Sequence, residues 1–115
     1  MKHHKAMRTL GREKKQRNAL LNSLARSLVL KKKIKTTEAR ARELGPFSER
    51  LVTKAKQNTL ASRRALIVVL GKDAAGILME KIAPDYKNRA GGYTRLTKLG
   101  VRASDGAKLA VIEFV

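Results

Sequence analysis

The hydrophobic positions of the chain follow helical spacing over most of its length and alternate near its end. From about residue 12 to residue 30, apolar side chains recur at intervals of three and four, which predicts one stripe of an amphipathic helix. The stripe consists of Leu20, Leu21, Leu24, Ala25, Leu28 and Val29. The next stretch, residues 34–37, is rich in β-branched side chains and predicts a short strand.

A second helical segment is predicted after residue 37. Thr37 can cap its N-terminus, and the acidic Glu38 is favourably placed in its first turn. The apolar positions then keep helical spacing to about residue 55. Because proline lacks the amide proton that a helix interior needs, Gly45-Pro46 is expected to bend this segment or divide it in two.

Two further helices are expected before the helical spacing of apolar residues gives way to alternation. Thr59 or Asn58 can cap the first of them, which should end at Gly71. Asp73 can cap the second, and Pro84 is expected to stop it. These punctuating residues predict about three helices between the short strand and the C-terminal part of the chain.

Alternation replaces helical spacing after a turn at residues 89–92. The alternating pattern predicts one strand at residues 93–99 and another at residues 108–115, with a turn signal at 104–106 between them. The last stretch has apolar residues on both faces, which is typical of a central strand. The pattern indicates one α+β domain, 1–115, with an extended basic arm at 1–11 and a globular part at 12–115.

Charge changes this picture more than any other property of the sequence. The chain has 27 Lys and Arg residues against 9 Asp and Glu, a formal net charge of +18. Residues 1–36 carry +11 of it, residues 37–90 carry +5 and residues 91–115 carry +2. Self-repulsion on this scale opposes a compact state, and a polyanion relieves it through counterion release. The basic N-terminal part predicts nucleic-acid binding, and the alternative is a merely solvated terminus.

Several classes of protein are not supported by the sequence. No cysteine is present, and no apolar run is long enough for a transmembrane helix. The first residues lack the apolar stretch of a secretory signal, so a cytoplasmic protein is expected. His3-His4 has no accompanying ligand cluster, which favours RNA or phosphate contact over a metal. No catalytic arrangement or phosphate-binding glycine loop is recognisable, and Gly91-Gly92 follows a helix instead of a strand. We therefore expect neither an enzyme, nor a cofactor, nor a small-molecule substrate.

The scarcity of aromatic residues, 3% of the chain, bears on how RNA would be recognised. Single-strand readers depend on aromatic stacking platforms, so backbone and shape readout of folded RNA is favoured. Tyr93 either stacks on a base or packs in the core. Arg63-Arg64 either clamps a phosphate or lies on a solvated helix face with Glu43 or Glu49 as partners.

The sequence as a whole resembles the bacterial-type large-subunit ribosomal protein seventeen family. Four stretches, spread over essentially the whole chain, carry the resemblance. They are Met1-Lys2-His3-His4-Lys5 with Arg8, Leu10 and Arg12; Ile34-Lys35-Thr36-Thr37 with Ala39, Ala41, Glu43 and Leu44; Arg63-Arg64; and Arg89-Ala90-Gly91-Gly92-Tyr93-Thr94-Arg95 with Asp105-Gly106-Ala107 and Ala110-Val111-Ile112-Glu113. The last stretch is the most specific.

This resemblance implies an N-terminal helix, a short strand, about three helices and two closing strands in a small mixed sheet. It also implies binding to large-subunit ribosomal RNA around the polypeptide exit, with neighbouring ribosomal proteins as partners. The alternatives are a non-specific DNA-compacting protein and a basic helix that lies on membranes. The RNA-binding residues expected from charge and resemblance together are Lys2, His3, His4, Lys5, Arg8, Arg12, Lys14, Lys15, Arg17, Asn18, Lys33, Lys35, Thr36, Arg63, Arg64, Arg89, Gly91, Gly92, Tyr93, Arg95 and Arg102.

Overall fold

The computed structural model describes residues 13–115. The predicted arm therefore lies outside the described residues. So do six of the predicted RNA-binding residues, namely Lys2, His3, His4, Lys5, Arg8 and Arg12. The single-domain organisation of residues 1–115 stays a prediction, although the buried side chains of the described part form one core cluster.

Four α-helices and three strands make up the described fold, and the predicted α+β class is confirmed. A π-helical turn and a 3-10 turn follow the fourth helix directly and extend it. In chain order the elements are α1 (Lys14–Lys31), β1 (Lys33–Thr37), α2 (Glu38–Lys56), α3 (Leu60–Leu70), α4 (Lys72–Ile77), the π turn (Leu78–Ile82), the 3-10 turn (Ala83–Tyr86), β2 (Thr94–Val101) and β3 (Lys108–Phe114).

The three strands form one sheet in the order β1-β3-β2. The prediction of β3 as the central strand is confirmed, and its Ala110 and Ile112 are buried on the side that faces the helices. The sheet is not mixed, however, because both pairings are antiparallel. β2 and β3 are joined as a hairpin, and β1 enters from the end of α1 in the direction opposite to β3.

Helix α1 buries the stripe that its sequence predicted. Leu21, Ala25, Leu28 and Val29 are all at most 3% exposed, at spacings that place them on one side of the helix. Ala25, Leu28 and Val29 belong to the core cluster that α2, α3 and the sheet also line. The apolar stripe is therefore covered by protein, which contradicts the alternative of a helix that lies on a membrane.

Helix α2 is continuous through Pro46, so the predicted division into two segments is wrong, while a bend at this point stays a prediction. Gly45 precedes the proline and has no Cβ, which removes part of the clash that normally drives the preceding residue out of helical geometry. Leu44 and Val52, on either side of the proline, are completely buried. Packing of both halves into the core thus outweighs the hydrogen bond that Pro46 cannot donate.

Helix α3 begins as predicted with Thr59 as its cap. The Thr59 hydroxyl accepts a hydrogen bond from the Ser62 amide at 3.0 Å, and the Ser62 hydroxyl accepts one from the Thr59 amide at 3.0 Å. This reciprocal arrangement is a capping box, with serine in place of the usual glutamate. Gly71 ends the helix at φ +88°, a conformation that favours glycine.

The segment after Gly71 differs from its prediction at both ends. Gly71, and not Asp73, is the N-cap of α4, and Asp73 lies within the first turn, where it accepts from the Ala74 amide. Pro84 does not stop the helical chain, which continues to Tyr86. Pro84 lies in the first turn of the 3-10 segment, a position at which proline is tolerated because its fixed φ suits the start of a helical turn.

Candidate nucleic-acid interface

The chain reverses between α1 and β1, and it presents consecutive lysines at the reversal. Lys31 ends α1, and Lys32 adopts the left-handed conformation at φ 66° with its amide donating to the Leu28 carbonyl at 2.6 Å. Its own carbonyl accepts a hydrogen bond from the Phe114 amide at 3.1 Å. The backbone of this junction is therefore held by both α1 and β3, which fixes the start of β1 at Lys33.

Two surface grooves flank β1, and both are lined by basic side chains. The first, the α1 groove, has a volume of about 330 Å³ and lies between α1 and β1. It is lined by Leu24, Ser27, Lys31, Lys33, Ile34 and Lys35. The second, the α2 groove, has a volume of 300 Å³ and is lined by Lys35, Thr36, Thr37, Arg40, Arg102 and Leu109. Lys35 belongs to both grooves and so connects them across the strand.

The lysines of this junction are not neutralised within the described chain. Lys31, Lys33 and Lys35 are exposed, and none of them forms an ion pair with any of residues 13–115. Lys33 lies opposite Glu113 in the sheet, but that carboxylate pairs with Arg95 on the other side at 3.4 Å. The junction therefore keeps its full positive charge.

Arginines elsewhere on the surface behave differently. Five of them form ion pairs with carboxylates at 2.6–3.4 Å. The pairs are Arg26–Asp73, Arg42–Glu38, Arg63–Glu80, Arg95–Glu113 and Arg102–Asp105. Two of the pairs, Arg26–Asp73 and Arg102–Asp105, are bidentate, a geometry that planar guanidinium groups suit better than ammonium groups do. Part of the predicted RNA-binding set, namely Arg63, Arg95 and Arg102, thus already faces a carboxylate.

Two of these pairs lower the pKa of their carboxylates. Both guanidinium nitrogens of Arg26 donate to Asp73, and this hydrogen bonding is the main cause that lowers the pKa of Asp73 from 3.8 to about 2. Arg102 binds Asp105 in the same two-pronged way and lowers the pKa of Asp105 to about 2. Arg26 also donates to the Leu70 carbonyl, so it ties α1 to the end of α3.

A buried corner holds the loop before β2, where the most specific part of the predicted motif lies. The Lys56 ammonium donates to the Arg89 carbonyl at 2.5 Å and to the Tyr93 hydroxyl at 3.0 Å. The Tyr93 ring is 2% exposed and packs on Tyr86 with centroids 5.0 Å apart. Gly92 takes φ +66°, which lets the chain turn there. Of the two alternatives for Tyr93, core packing is the one that the structure has.

The hydrogen bond from Lys56 also affects the tyrosine itself. It is the largest cause that lowers the pKa of Tyr93, followed by the hydrogen bond with Thr53. Burial instead raises the pKa of the neighbouring Tyr86, whose hydroxyl donates to the Val115 carbonyl. Sequence reasoning missed Lys56, because nothing in its helical spacing separates it from a solvated lysine.

The first turns of α1 present a second set of predicted residues. Lys14, Lys15 and Asn18 are exposed there, as a basic extension of α1 requires. Arg17 differs, because its side chain is 9% exposed and its Nε has no hydrogen-bond partner in the described structure. The exposed row at the start of α1 therefore consists of Lys14, Lys15 and Asn18 without Arg17.

The structure brings together only part of the predicted set. Lys33, Lys35, Thr36 and Arg102 meet at the two grooves, whereas the Arg63-Arg64 pair lies on α3 and the 89–95 motif lies at the Lys56 corner. Arg63 pairs with Glu80 and not with Glu43 or Glu49; Glu49 instead accepts from the Thr94 amide and hydroxyl.

Two basic residues of the grooves were not predicted. Lys31 belongs to the Lys31-Lys32-Lys33 run, and Arg40 lies three residues after the cap Thr37, so both signals were present in the sequence. Within residues 13–115, no group of three or more His, Cys, Asp or Glu residues gathers as metal ligands would. None of the helices described is both long and apolar enough to cross a membrane.

The fold and this surface define a class: a small, strongly basic α+β protein whose unneutralised cations gather on an open surface. Comparison with known proteins makes the class specific. A family model for ribosomal protein L17 matches residues 20–115. A large ribosomal subunit protein bL17 from Gemmatimonas aurantiaca is 48% identical, covering 100% of this chain and 98% of its own.

Two further relatives carry the same name. The protein from Methylacidiphilum infernorum is 46% identical over 99% of this chain and 88% of its own length. That from Fusobacterium nucleatum is 44% identical over the whole of both chains. The chain belongs to the ribosomal protein L17 family, which confirms the resemblance seen in its sequence. The family consists of structural, non-enzymatic ribosomal proteins of the bacterial cytoplasm, as predicted.

Proposed function

We propose that this chain is a structural constituent of the large ribosomal subunit that binds ribosomal RNA through phosphate and shape contacts. The relatives named large ribosomal subunit protein bL17 support the assignment to that subunit. The observation that carries RNA binding is the row of unneutralised lysines at the α1–β1 junction. A row of this kind favours a polyanion, because no carboxylate within residues 13–115 offsets it.

The two grooves beside β1 are the proposed sites of phosphate contact. Each combines cations with hydroxyl donors, Ser27 in the α1 groove and Thr36 in the α2 groove. Phosphate oxygens accept from both kinds of group, and such contacts position a protein on RNA without reading its sequence. Because Lys35 belongs to both grooves, an RNA backbone that crosses β1 stays in contact with cations along its path.

Shape recognition is favoured over base stacking by the position of the aromatic rings. Tyr86 and Tyr93 are buried against one another and are not available as a platform. Proteins that read single strands rely on exposed rings. The proposed target is therefore the folded backbone of ribosomal RNA.

The location near the polypeptide exit, and contact with neighbouring large-subunit proteins, are proposed on the family resemblance alone. The remaining predicted residues keep their place in the proposed RNA-binding set, apart from Tyr93 and Arg17, whose side chains are buried. Within that set, Arg63, Arg95 and Arg102 already pair with carboxylates and would have to exchange partners to bind phosphate.

A sucrose gradient of cell lysate tests the assignment. The full chain should sediment with large subunits at low magnesium, when the two subunits separate. A triple variant, K31Q/K33Q/K35Q, should shift part of the chain to the top of the gradient because three phosphate contacts are lost. K54Q/K72Q/K81Q removes the same charge from exposed positions elsewhere and should stay with the large subunit. A wild-type chain found only at the top would refute the proposal.

A competition experiment separates this function from DNA compaction. The purified chain, bound to labelled ribosomal RNA, is challenged with unlabelled ribosomal RNA or with duplex DNA at equal phosphate concentration. We expect the RNA to compete much better, because the grooves would fit a folded backbone. Equal competition by DNA would favour the DNA-compacting alternative.

A further inference from the structure

The loop of residues 89–92, between the 3-10 turn and β2, has little backbone support of its own. The Arg89 amide donates to the Tyr86 carbonyl at 3.0 Å, but the next three amides, those of Ala90, Gly91 and Gly92, donate to no group among residues 13–115. Two consecutive glycines would leave such a loop a wide choice of backbone conformations. Side chains must therefore restrict the conformation of the 89–92 loop.

Lys56 joins this loop to helix α2. Its ammonium donates to the Arg89 carbonyl at 2.5 Å and to the Tyr93 hydroxyl at 3.0 Å. It also lies 5.1 Å from the centre of the Tyr93 ring, within the range of a cation–π contact. The Tyr93 hydroxyl donates to the same Arg89 carbonyl at 3.1 Å. Lys56 and Tyr93 thus hold one carbonyl of the loop from two sides, and the buried Tyr93 ring fixes this arrangement to the core.

The side chain of Arg89 is also held. Its Nε donates to the Gly91 carbonyl at 3.2 Å, so the guanidinium lies along the loop whose first carbonyl Lys56 holds. Arg89 is exposed and forms no ion pair with any of residues 13–115. Its terminal nitrogens are therefore available for a two-pronged contact with a phosphate, in an orientation that the loop sets before binding.

The surroundings of Lys56 differ from those of the exposed lysines at the α1–β1 junction. Lys56 is half-buried, and its hydrogen bonds to Arg89 and Tyr93 use two of the three protons that an ammonium can donate. No carboxylate of residues 13–115 pairs with it. To bind a phosphate directly, Lys56 would have to give up contacts that hold the loop.

We infer that Lys56 is a positioning residue for RNA binding, which holds the 89–92 loop so that Arg89 meets a phosphate, and that Lys56 does not contact the RNA itself. This inference rests on the proposed function, in which Arg89 belongs to the RNA-binding set. A side chain that is fixed before binding loses less conformational freedom when the complex forms. Loss of the Lys56 ammonium should therefore weaken RNA binding only while Arg89 is present.

A double-mutant cycle on RNA affinity tests this dependence. The full chain as wild type, K56M, R89Q and K56M/R89Q is titrated with ribosomal RNA in filter binding at one salt concentration. Methionine keeps an unbranched apolar stem against the Tyr93 ring and lacks the ammonium. We expect K56M to weaken binding by about 2- to 10-fold, a typical scale for coupled residues in contact. In the R89Q background, K56M should have little further effect.

The matched control is K54M, because Lys54 lies two residues earlier on α2, is exposed and forms no ion pair with residues 13–115. It removes the same charge, and its effect should be equal with and without R89Q. A direct phosphate contact by Lys56, or a general loss of stability, predicts that K56M too has an equal effect in both backgrounds. That result overturns the inference, as does wild-type affinity for K56M or for R89Q.

Circular dichroism of free K56M checks that the variant folds. If it does not fold, Y93F takes its place in the cycle, since it keeps the buried ring and removes the hydroxyl that contacts both Lys56 and the Arg89 carbonyl. Y93F should weaken binding less than R89Q does, and only while Arg89 is present. Additive effects of Y93F and R89Q, or wild-type affinity for Y93F, then overturn the inference. Failure of the wild-type chain to bind ribosomal RNA would instead remove the proposed function, and this inference with it.

Discussion

The α1–β1 junction and the β2–β3 hairpin are both basic, but the lysines of the junction and the arginines of the hairpin face different surroundings. At the junction, Lys31, Lys33 and Lys35 form no ion pair within the described chain. On the hairpin, Arg95 and Arg102 are held by Glu113 and Asp105. The difference teaches that net charge alone does not locate a binding surface. A cation that already faces a carboxylate must exchange partners before it binds phosphate, whereas an unpaired one binds without that cost.

The largest effect should come from removing the unpaired lysines. K31Q/K33Q/K35Q should reduce the slope of log K against log salt for ribosomal RNA by about 2 to 3, since each phosphate contributes roughly 0.7–0.9. The hairpin variant R95Q/R102Q should reduce it by less than about 1. Filter binding across a salt series measures both. Equal loss per charge removed from the two regions would abolish the distinction between them.

A smaller effect of opposite sign should follow from freeing the hairpin arginines. E113Q/D105N removes the carboxylates that Arg95 and Arg102 bind, so both guanidinium groups become available to phosphate. The salt slope should then rise by up to about 2 and the affinity should increase at low salt. E80Q, which frees Arg63 on α3, is the matched test of whether position matters. An unchanged slope for E113Q/D105N would mean that the hairpin does not face RNA.

The two kinds of cation should also affect the free protein in opposite directions. R26Q should lower Tm, because Arg26 joins α1 to Asp73 and to the Leu70 carbonyl. K31Q/K33Q/K35Q should leave Tm unchanged or raise it, since it relieves repulsion among neighbouring like charges. Differential scanning calorimetry in the absence of RNA compares the two. A lower Tm for the lysine variant would show that those side chains stabilise the fold.

The smallest effect concerns acid stability. The pKa of Asp73 and of Asp105 lies at about 2 in the folded protein, below the usual 3.8. Their pairs therefore contribute stability that is complete above about pH 4 and is lost as the pH falls toward 2. D73N/D105N should flatten the fall of Tm between pH 4 and pH 2. D85N, which removes a carboxylate at an exposed position, provides the comparison. A wild-type slope in D73N/D105N would contradict this account.

The order of the helices and strands was predictable because capping residues and glycines mark where several of them begin and end. Thr59 and Gly71 bound α3 in the structure as their chemistry predicted, and the apolar positions of β3 marked it as central. The errors arose where packing outweighs a local preference. Pro46 and Pro84 were expected to interrupt helices, but buried neighbours keep the first helix intact and the second proline lies in a first turn.

The candidate site was less predictable than the fold. The sequence identifies which residues are cationic, but not which of them face carboxylates distant in the chain. Arg26 and Asp73 are 47 positions apart, and Lys56 reaches the Arg89 carbonyl across 33. The Lys31-Lys32-Lys33 run was the available signal for the junction. That its lysines are unpaired could be seen only once the position of Glu113 was known.

The sheet order also sets the sequence of events during synthesis. β1 pairs with β3 and with no other described strand. The two strands are far apart in the chain, since Ile34 pairs with Ile112, 78 positions later. Helices α1 to α4 can assemble through contacts of shorter range while the chain is still being made. β1 must wait until residues 108–114 have been synthesised. The strand that carries Lys33 and Lys35 is thus synthesised early but pairs late. A nascent chain would expose this basic strand without a hydrogen-bonded neighbour until β3 is complete.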